Sequence, residues 1–191
     1  MRRLLAVSLI FTGFFFAASA HLHAQQQQAL DPPTGSEITF KLKGVDGKIY
    51  DVAKMSGEVV ILSFGATWCQ PCAVELAALE DLKREYSGKP VRFLWASVEE
   101  ENKVSNAVLR NYAKSLKLSI SVLRDPEQRA FSQFSTRVRI PMLVFFDKAG
   151  RFVAPPHVGM STPEKYKERV RRTLDPLLEA QVKNADAAAS R

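Results

Sequence analysis

The chain has two cysteines, and they stand three residues apart in the segment Trp68-Cys69-Gln70-Pro71-Cys72. A cysteine is nucleophilic as its thiolate, and the unpaired backbone N–H groups at the start of a helix stabilise that negative charge. We therefore expect Cys69 to lie partly exposed at a helix N-terminus, with a lowered pKa, where it can attack a substrate disulfide. Cys72, one turn further along, can then attack the mixed disulfide and release the product.

The residues around the cysteines suit this interpretation. Pro71 is compatible with the first helical turn, because an N–H group has no helical partner there. Trp68 is expected to pack beside the reactive sulfur, so both residues are predicted to contact substrate. Half of a metal site is an alternative, but a closed structural zinc site uses four Cys or His ligands. A structural disulfide is another, but a loop this short restricts the unfolded chain little.

Glu75 is the next candidate, three residues after Cys72. The helical periodicity predicts an inward stripe through Cys72, Leu76 and Leu79. Glu75 falls on this stripe, whereas Glu80 is predicted to face outward. A buried carboxyl has a raised pKa, which would let Glu75 take the proton of Cys72 and return it. The alternative is a surface glutamate that stabilises the positive end of the helix, and position alone does not decide between them.

Two further candidates lie near the C-terminus. Ile140-Pro141 precedes an apolar segment, where proline is compatible with a turn, a cis peptide bond or an ordinary loop. His157 follows two prolines and is predicted to be an exposed loop residue, with a metal or catalytic role as the lesser alternative. The basic residues between 165 and 172 are interpreted as a solvated helix face.

The overall composition indicates one soluble domain with appendages. The 191 residues are 46% hydrophobic and 25% charged, and the net charge of +7 is spread along the chain, which does not favour nucleic acid as a partner. Residues 1–20 combine Arg2-Arg3, an uncharged apolar stretch and Ala18-Ser19-Ala20, the pattern of a signal peptide. An uncleaved membrane anchor is the alternative. We interpret 21–36 as a flexible linker, 37–180 as the domain and 181–191 as a disordered tail.

Strands alternate with helices in the predicted domain, which indicates a parallel core with helices on both faces. The predicted strands are 38–42, 49–52, 59–64, 91–98, 120–123, 142–146 and 151–154. The predicted helices begin at the Cys-x-x-Cys and continue with 103–116, 127–134 and a last helix that starts near Thr162-Pro163. Pro176 is expected to kink or end that last helix.

With these motifs in place, residues 37–178 resemble the TlpA/ResA-like thioredoxin-fold proteins of the bacterial cell envelope. The stretch 64–72 is similar to their active-site strand and loop, and 147–151 to their hairpin turn. Ile140-Pro141 matches their cis-proline loop, where the backbone pairs with substrate, and Glu75 falls where they keep a glutamate. The resemblance implies an α/β fold with a mixed sheet flanked by helices, an N-terminal β-hairpin and an inserted helix–strand.

The chain departs from the family at a few positions. Met142 replaces the usual threonine after the cis-proline, and Gly65 replaces a common aromatic residue. Ser63 stands where thioredoxin has a buried aspartate, which leaves Glu75 as the better candidate for handling protons.

The resemblance also implies a function. We expect an exported, periplasmic thiol–disulfide oxidoreductase that exchanges disulfides with protein substrates, as a reductant in cytochrome c maturation or in the maintenance of envelope thiols. A membrane electron donor is expected, and no cofactor besides the Cys69–Cys72 disulfide. The alternatives are a Sco-like copper protein, for which His157 is the only distal ligand candidate, and a non-catalytic adaptor of the same fold.

Overall fold

A computed structural model describes residues 34–180 of the chain. The predicted signal peptide, most of the predicted linker and the predicted C-terminal tail lie outside these residues. Gly35 and Ser36, at the end of the predicted linker, already exchange backbone hydrogen bonds with Phe152. No helix between residues 34 and 180 has the length and apolar character needed to cross a bilayer.

The described residues form seven strands, three α-helices and two short 3-10 turns. The strands are β1 Lys41–Gly44, β2 Ile49–Asp51, β3 Val59–Gly65, β4 Val91–Ser97, β5 Ser121–Arg124, β6 Met142–Phe146 and β7 His157–Val158. The helices are α1 Gln70–Glu85, α2 Asn106–Ser115 and α3 Pro163–Glu179, and the 3-10 turns are Val52–Lys54 and Phe131–Gln133.

All seven strands join one mixed sheet in the order β2-β1-β5-β4-β3-β6-β7. The central strands β3, β4 and β5 are parallel, with β3 beside β4 over its whole length. Strand β6 runs antiparallel to β3, and the β1–β2 hairpin lies antiparallel to β5 at the other edge. The Cys-x-x-Cys follows the carboxyl end of β3, the edge at which open parallel sheets bind their ligands.

The two faces of the sheet are covered differently. Side chains from α1, α2 and α3 form one apolar cluster with alternate residues of β3 and β4, such as Ile61 and Trp95. The intervening residues, such as Leu62, face a second cluster that is covered by Ile38, Phe131 and Phe152. The prediction of helices on both faces therefore holds in full for one face, whereas the other is covered by the two short 3-10 turns, through Val52 and Phe131.

Three predicted elements differ from the structure. The helix predicted at 127–134 is only the turn Phe131–Gln133, because Gln128 has a φ of 54° and interrupts a continuous helix. The strand predicted at 151–154 makes only two isolated bridges, from Phe152 to Phe146 and from Arg151 to Glu37, and His157–Val158 forms the edge strand instead. The first strand lies at Lys41–Gly44 rather than 38–42.

Both long helices start as their sequences predict. Cys69 caps α1, and the Thr162 side chain caps α3 by accepting a hydrogen bond from Lys165 N. Pro176 was expected to kink or end helix α3; the helix continues through Pro176 to Glu179, so it does not end at this proline. Pro176 lies in the last turns of α3, so the hydrogen bond lost with its missing N–H affects few further residues.

Candidate active site

The two cysteines form a disulfide at the N-terminus of α1. Cys69 is the N-cap residue, and its sulfur accepts a hydrogen bond from the Cys72 backbone N–H at 3.2 Å. Helix geometry thus directs a backbone donor at the sulfur that would carry the thiolate charge. Cys69 is only 5% exposed, so the expectation of partial exposure is wrong for the disulfide form, and Cys72 is fully buried.

The segment around Ile140 lies beside the disulfide. Ile140 packs against a cluster of Ala66, Cys69 and Cys72, and the Ile140–Pro141 peptide bond is cis. The Pro141 carbonyl accepts a hydrogen bond from Gly159 N, which ties it to the sheet edge. Between residues 34 and 180 no hydrogen bond engages the backbone of Ile140, which leaves its N–H and C=O available.

Trp68 and Pro71 form the outer surface of the same site. Trp68 is 71% exposed, and Pro71 is exposed in the first turn of α1. An exposed indole beside a buried disulfide offers apolar contact area to a partner. The structure therefore brings together all the residues that the sequence singled out around the cysteines.

Glu75 lies behind the disulfide and is completely buried. Its two carboxylate oxygens accept hydrogen bonds from Ser63 Oγ and Tyr166 Oη, both at 2.6 Å. These contacts exclude the alternative of a surface glutamate. Burial raises the pKa of Glu75 to about 7, although the two hydroxyl donors and the positive charge of Arg169 act to lower it.

This balance suits proton transfer. Burial favours the neutral carboxyl and the hydroxyl donors favour the carboxylate, so neither form dominates strongly near neutral pH. Cys72 and Glu75 are three residues apart on α1, a spacing at which helical side chains are neighbours. The arrangement can accept a proton from the buried cysteine and return it.

Gly65 explains one departure from the family pattern. A Cβ atom on Gly65 would lie 2.7 Å from Trp95 Nε1 and 3.3 Å from Cys72 Sγ, closer than side-chain atoms tolerate. The indole of Trp95, on the neighbouring strand β4, thus occupies the space that a side chain at position 65 would need. The glycine keeps the end of β3 in contact with the buried cysteine.

Sequence reasoning missed two residues of the site. Glu99 accepts hydrogen bonds from the backbone N–H and the hydroxyl of Thr67, both at 2.8 Å, and so holds the loop that leads to Cys69. Tyr166 reaches Glu75 from the C-terminal helix. Both contacts join segments that are far apart in the chain, and the local periodicity carries no signal for either.

His157 is not the exposed loop residue that was predicted. It belongs to β7, is half-buried, and its ring contacts Phe145 with Nε2 3.3 Å from Thr173 Oγ1. Burial, together with the positive charges of Arg169 and Arg172, lowers the pKa of His157 to about 4. Among residues 34–180 no three Cys, His, Asp or Glu side chains gather as a metal site, so His157 does not join the two cysteines.

The fold and the site define a thioredoxin-like enzyme of the thiol–disulfide oxidoreductase class. The family model of the AhpC/TSA family matches residues 35–154, and the chain belongs to this family. The predicted resemblance to ResA-like proteins is confirmed by its relatives.

Two relatives and two solved structures illustrate the similarity. The chain is 28% identical to the thioredoxin-like protein YneN of Bacillus subtilis over 69% of this chain and 74% of that protein. It is 25% identical to the thiol-disulfide oxidoreductase ResA of Bacillus cereus over 66% of this chain and 69% of that protein. A thiol:disulfide interchange protein of Chlorobium tepidum superposes with a TM-score of 0.60 at 25% identity, covering 74% and 96%. Bacillus subtilis StoA superposes with a TM-score of 0.55 at 21% identity, covering 70% of this chain and 97% of that chain.

Proposed function

We propose that this protein is an extracytoplasmic reductant of protein disulfides. The observation that carries the proposal is the pairing of a helix-capping Cys69–Cys72 disulfide with a buried glutamate whose pKa is near 7. A purely structural disulfide has no use for a titratable group behind it. An exchange cycle does, because a thiol must gain and lose a proton each time the disulfide opens and closes.

In the proposed cycle, the reduced protein attacks with Cys69. Its thiolate bonds to one sulfur of the substrate disulfide, the substrate S–S bond breaks, and the other substrate sulfur leaves as a thiolate. Cys72 then loses its proton and attacks Cys69, which breaks the mixed disulfide and frees the second substrate thiol. Two electrons pass to the substrate, and the protein is left with the Cys69–Cys72 disulfide.

Glu75 is proposed to receive the Cys72 proton in the second step. Cys72 is fully buried and cannot pass its proton directly to bulk water. A neighbouring carboxylate that titrates near neutral pH is an efficient acceptor, and it can return the proton when the disulfide is reduced again. Ser63 and Tyr166 hold the carboxylate in place for both directions.

Substrate is proposed to bind against Trp68, Pro71, Ile140 and Pro141. The free backbone N–H and C=O of Ile140 would pair with an extended substrate segment, as a strand adds to a sheet. The exposed indole of Trp68 would cover the apolar part of the same segment. This surface fits a polypeptide better than a small disulfide, because it offers backbone pairing.

The setting is proposed from the N-terminal sequence and the relatives. The signal-peptide pattern of residues 1–20 favours export to the periplasm, and the ResA-like resemblance favours reduction in cytochrome c maturation or envelope thiol maintenance. An exported reductant in an oxidising compartment needs an electron supply, so a membrane electron donor is part of the proposal.

Trapping tests this function directly. In the full chain expressed with its own N-terminus, Cys72→Ala removes the resolving thiol, so the mixed disulfide should accumulate on Cys69. We expect partner proteins to appear as reducible adducts on non-reducing gels. Cys69→Ala is the matched control, because it keeps one buried thiol and should trap nothing.

The same experiment can be extended to test the direction of electron flow. Oxidised partner cysteines in a strain that lacks the protein would support a reductant, whereas partner cysteines that stay reduced in that strain would contradict it. Equal adduct formation by both variants, or the absence of adducts with a wild-type phenotype, would refute the proposal.

A further inference from the structure

Two arginines near the disulfide have no acidic partner. Arg137 and Arg139 are exposed, and neither guanidinium forms an ion pair or hydrogen bond with any residue between 34 and 180. Every other arginine in this range contacts a carboxylate, a carbonyl or a side-chain amide oxygen. Residues 137–139, called the arginine loop below, therefore present charge that the fold itself does not use.

The position of the arginine loop in the chain places it at the candidate active site. Arg139 directly precedes Ile140, whose side chain packs against both cysteines. The Cα atoms of Arg139 and Arg137 thus lie within about 4 and about 11 Å of the Ile140 Cα. Val138, between the arginines, is 50% exposed and adds an apolar contact to that of Trp68.

No exposed, unpaired acidic group offsets this charge on the segments that border the disulfide. Residues 67–74 have no charged side chain. Of the three acidic residues that follow β4, Glu99 is only 8% exposed and accepts hydrogen bonds from Thr67 and Ser97. Glu100 and Glu101 are exposed but paired, with Lys103 at 2.7 Å and with Arg124 at 3.5 Å. The exposed, unpaired charge beside the disulfide is therefore positive, and it comes from the arginine loop.

We propose that the arginine loop selects protein substrates that have Asp or Glu residues flanking the target cysteines. This inference rests on the proposed function and specifies its substrate class. A guanidinium binds a carboxylate with two parallel hydrogen bonds, which gives orientation as well as attraction. Unpaired charge at the rim of a binding site acts mainly on the rate of encounter, which it can raise tenfold or more at low salt.

The test uses two synthetic peptides that share one intramolecular disulfide and differ in the flanking residues, Glu in one and Lys in the other. The reduced wild-type protein is mixed with each peptide, and the second-order rate constant of reduction is measured at 20 mM and 500 mM salt. We expect the acidic peptide to react about tenfold faster at low salt, and the preference to fall below about threefold at high salt, where charges are screened.

Two charge-reversal variants are compared. In Arg137→Glu/Arg139→Glu the preference should invert in favour of the lysine peptide. Lys54→Glu/Lys89→Glu makes the same change in net charge at the opposite end of the sheet, where β3 and β4 begin, and both lysines are exposed and unpaired within residues 34–180. This control should keep the wild-type preference.

A small neutral disulfide separates this inference from the proposed function. It should be reduced at the same rate, within about twofold, by the wild type and by both variants. A wild type that reduces no disulfide would refute the proposed function and this inference with it. Equal rates on both peptides at low salt, with normal reduction of the neutral disulfide, would refute the inference alone.

Two other results would also overturn it. Loss of the neutral-disulfide reaction in Arg137→Glu/Arg139→Glu would mean that the arginines act on the cysteines instead of on the substrate. Sedimentation with phosphatidylglycerol vesicles that is lost in this variant, without any preference between the peptides, would assign the arginine loop to a membrane surface.

Discussion

Helix α1 buries two glutamates, and the groups around them differ in kind. Glu75 accepts hydrogen bonds from two hydroxyl groups, those of Ser63 and Tyr166. Glu80 is 5% exposed and accepts hydrogen bonds from both backbone N–H groups of residues 119–120 and from one serine hydroxyl there. One helix therefore holds two buried carboxyls in environments with different chemistry.

The difference separates an anchoring residue from the residue that we propose handles protons. A backbone N–H can only donate, so the residues around Glu80 are arranged for a carboxylate and join α1 to the start of β5. A hydroxyl can donate or accept, so the partners of Glu75 can satisfy the neutral carboxyl as well as the charged form. Burial alone does not give a glutamate a redox role. The kind of group that hydrogen-bonds to the carboxyl determines whether both its charged and its neutral form are satisfied.

The largest effect is expected on stability, from Glu80→Ala. The substitution leaves the buried N–H of Ile120 and the partly buried N–H of Ser119 without an acceptor and removes a serine contact, so the free energy of unfolding should fall by about 4 kcal/mol. The rate of disulfide exchange per folded molecule should stay within about twofold. Urea unfolding and a peptide reduction assay measure the two quantities. Where Glu80→Ala does not fold, Glu80→Gln keeps an acceptor oxygen and should lose about half as much stability.

The next effect is expected from Glu75→Gln and depends on pH. Burial raises the pKa of Glu75 from 4.5 to about 7, so the fold favours the protonated form. This stabilisation is complete below about pH 4.5 and is lost as the pH rises through about 7. Glutamine stays neutral throughout, so the variant should gain up to about 3 kcal/mol in unfolding free energy relative to the wild type between pH 4.5 and pH 8.

The same variant tests the role of Glu75 in the exchange reaction. Glutamine cannot accept the Cys72 proton, so resolution of a mixed disulfide should slow by about 100-fold at pH 7. Glu80→Gln is the matched control and should resolve mixed disulfides at the wild-type rate. Equal slowing in both variants would make Glu75 a second anchor, and the comparison between the two glutamates would fail.

The smallest effect is expected from Tyr166→Phe. The tyrosine hydroxyl donates to Glu75 and so favours its charged form, and its removal should raise the pKa of Glu75 further, by about one pH unit. Carbon-13 NMR of the glutamate carboxyls, assigned with Glu75→Gln, measures this pKa. Tyr112→Phe is the control, because the buried Tyr112 hydroxyl has no hydrogen-bond partner within residues 34–180. An unchanged pKa of Glu75 in Tyr166→Phe would contradict the role of this hydrogen bond.

Local sequence was sufficient to predict the parts of the site that lie close together in the chain. The cysteine spacing, the helix that follows and the inward position of Glu75 come from neighbours within one or two turns. The sheet core was predictable for a related reason, since β3 and β4 are continuous apolar segments. The cis-proline loop was predicted through the family resemblance, because no local pattern distinguishes cis from trans.

The remaining features depend on contacts across the fold. Glu80 was expected to face outward because charged residues are rarely buried, and its hydrogen-bond donors at 119–120 lie about forty residues further along the chain. Tyr166 lies among basic residues that were interpreted as a solvated helix face, and its partner Glu75 is 91 residues away in the chain. The left-handed conformation of Gln128 prevents the helix predicted at 127–134, and glutamine gives no sequence signal for such a conformation.

The close approach of Gly65, Trp95 and Cys72 has a practical consequence for optical measurements. The chain has two tryptophans: Trp68 is next to Cys69 in sequence, and Trp95 lies on the strand beside that of Gly65, with its indole close to Gly65. Disulfides quench excited indoles at short range, so both emitters of this protein report on one sulfur pair. Intrinsic fluorescence therefore serves as a label-free redox signal, and Trp68→Phe would isolate the contribution of the buried indole.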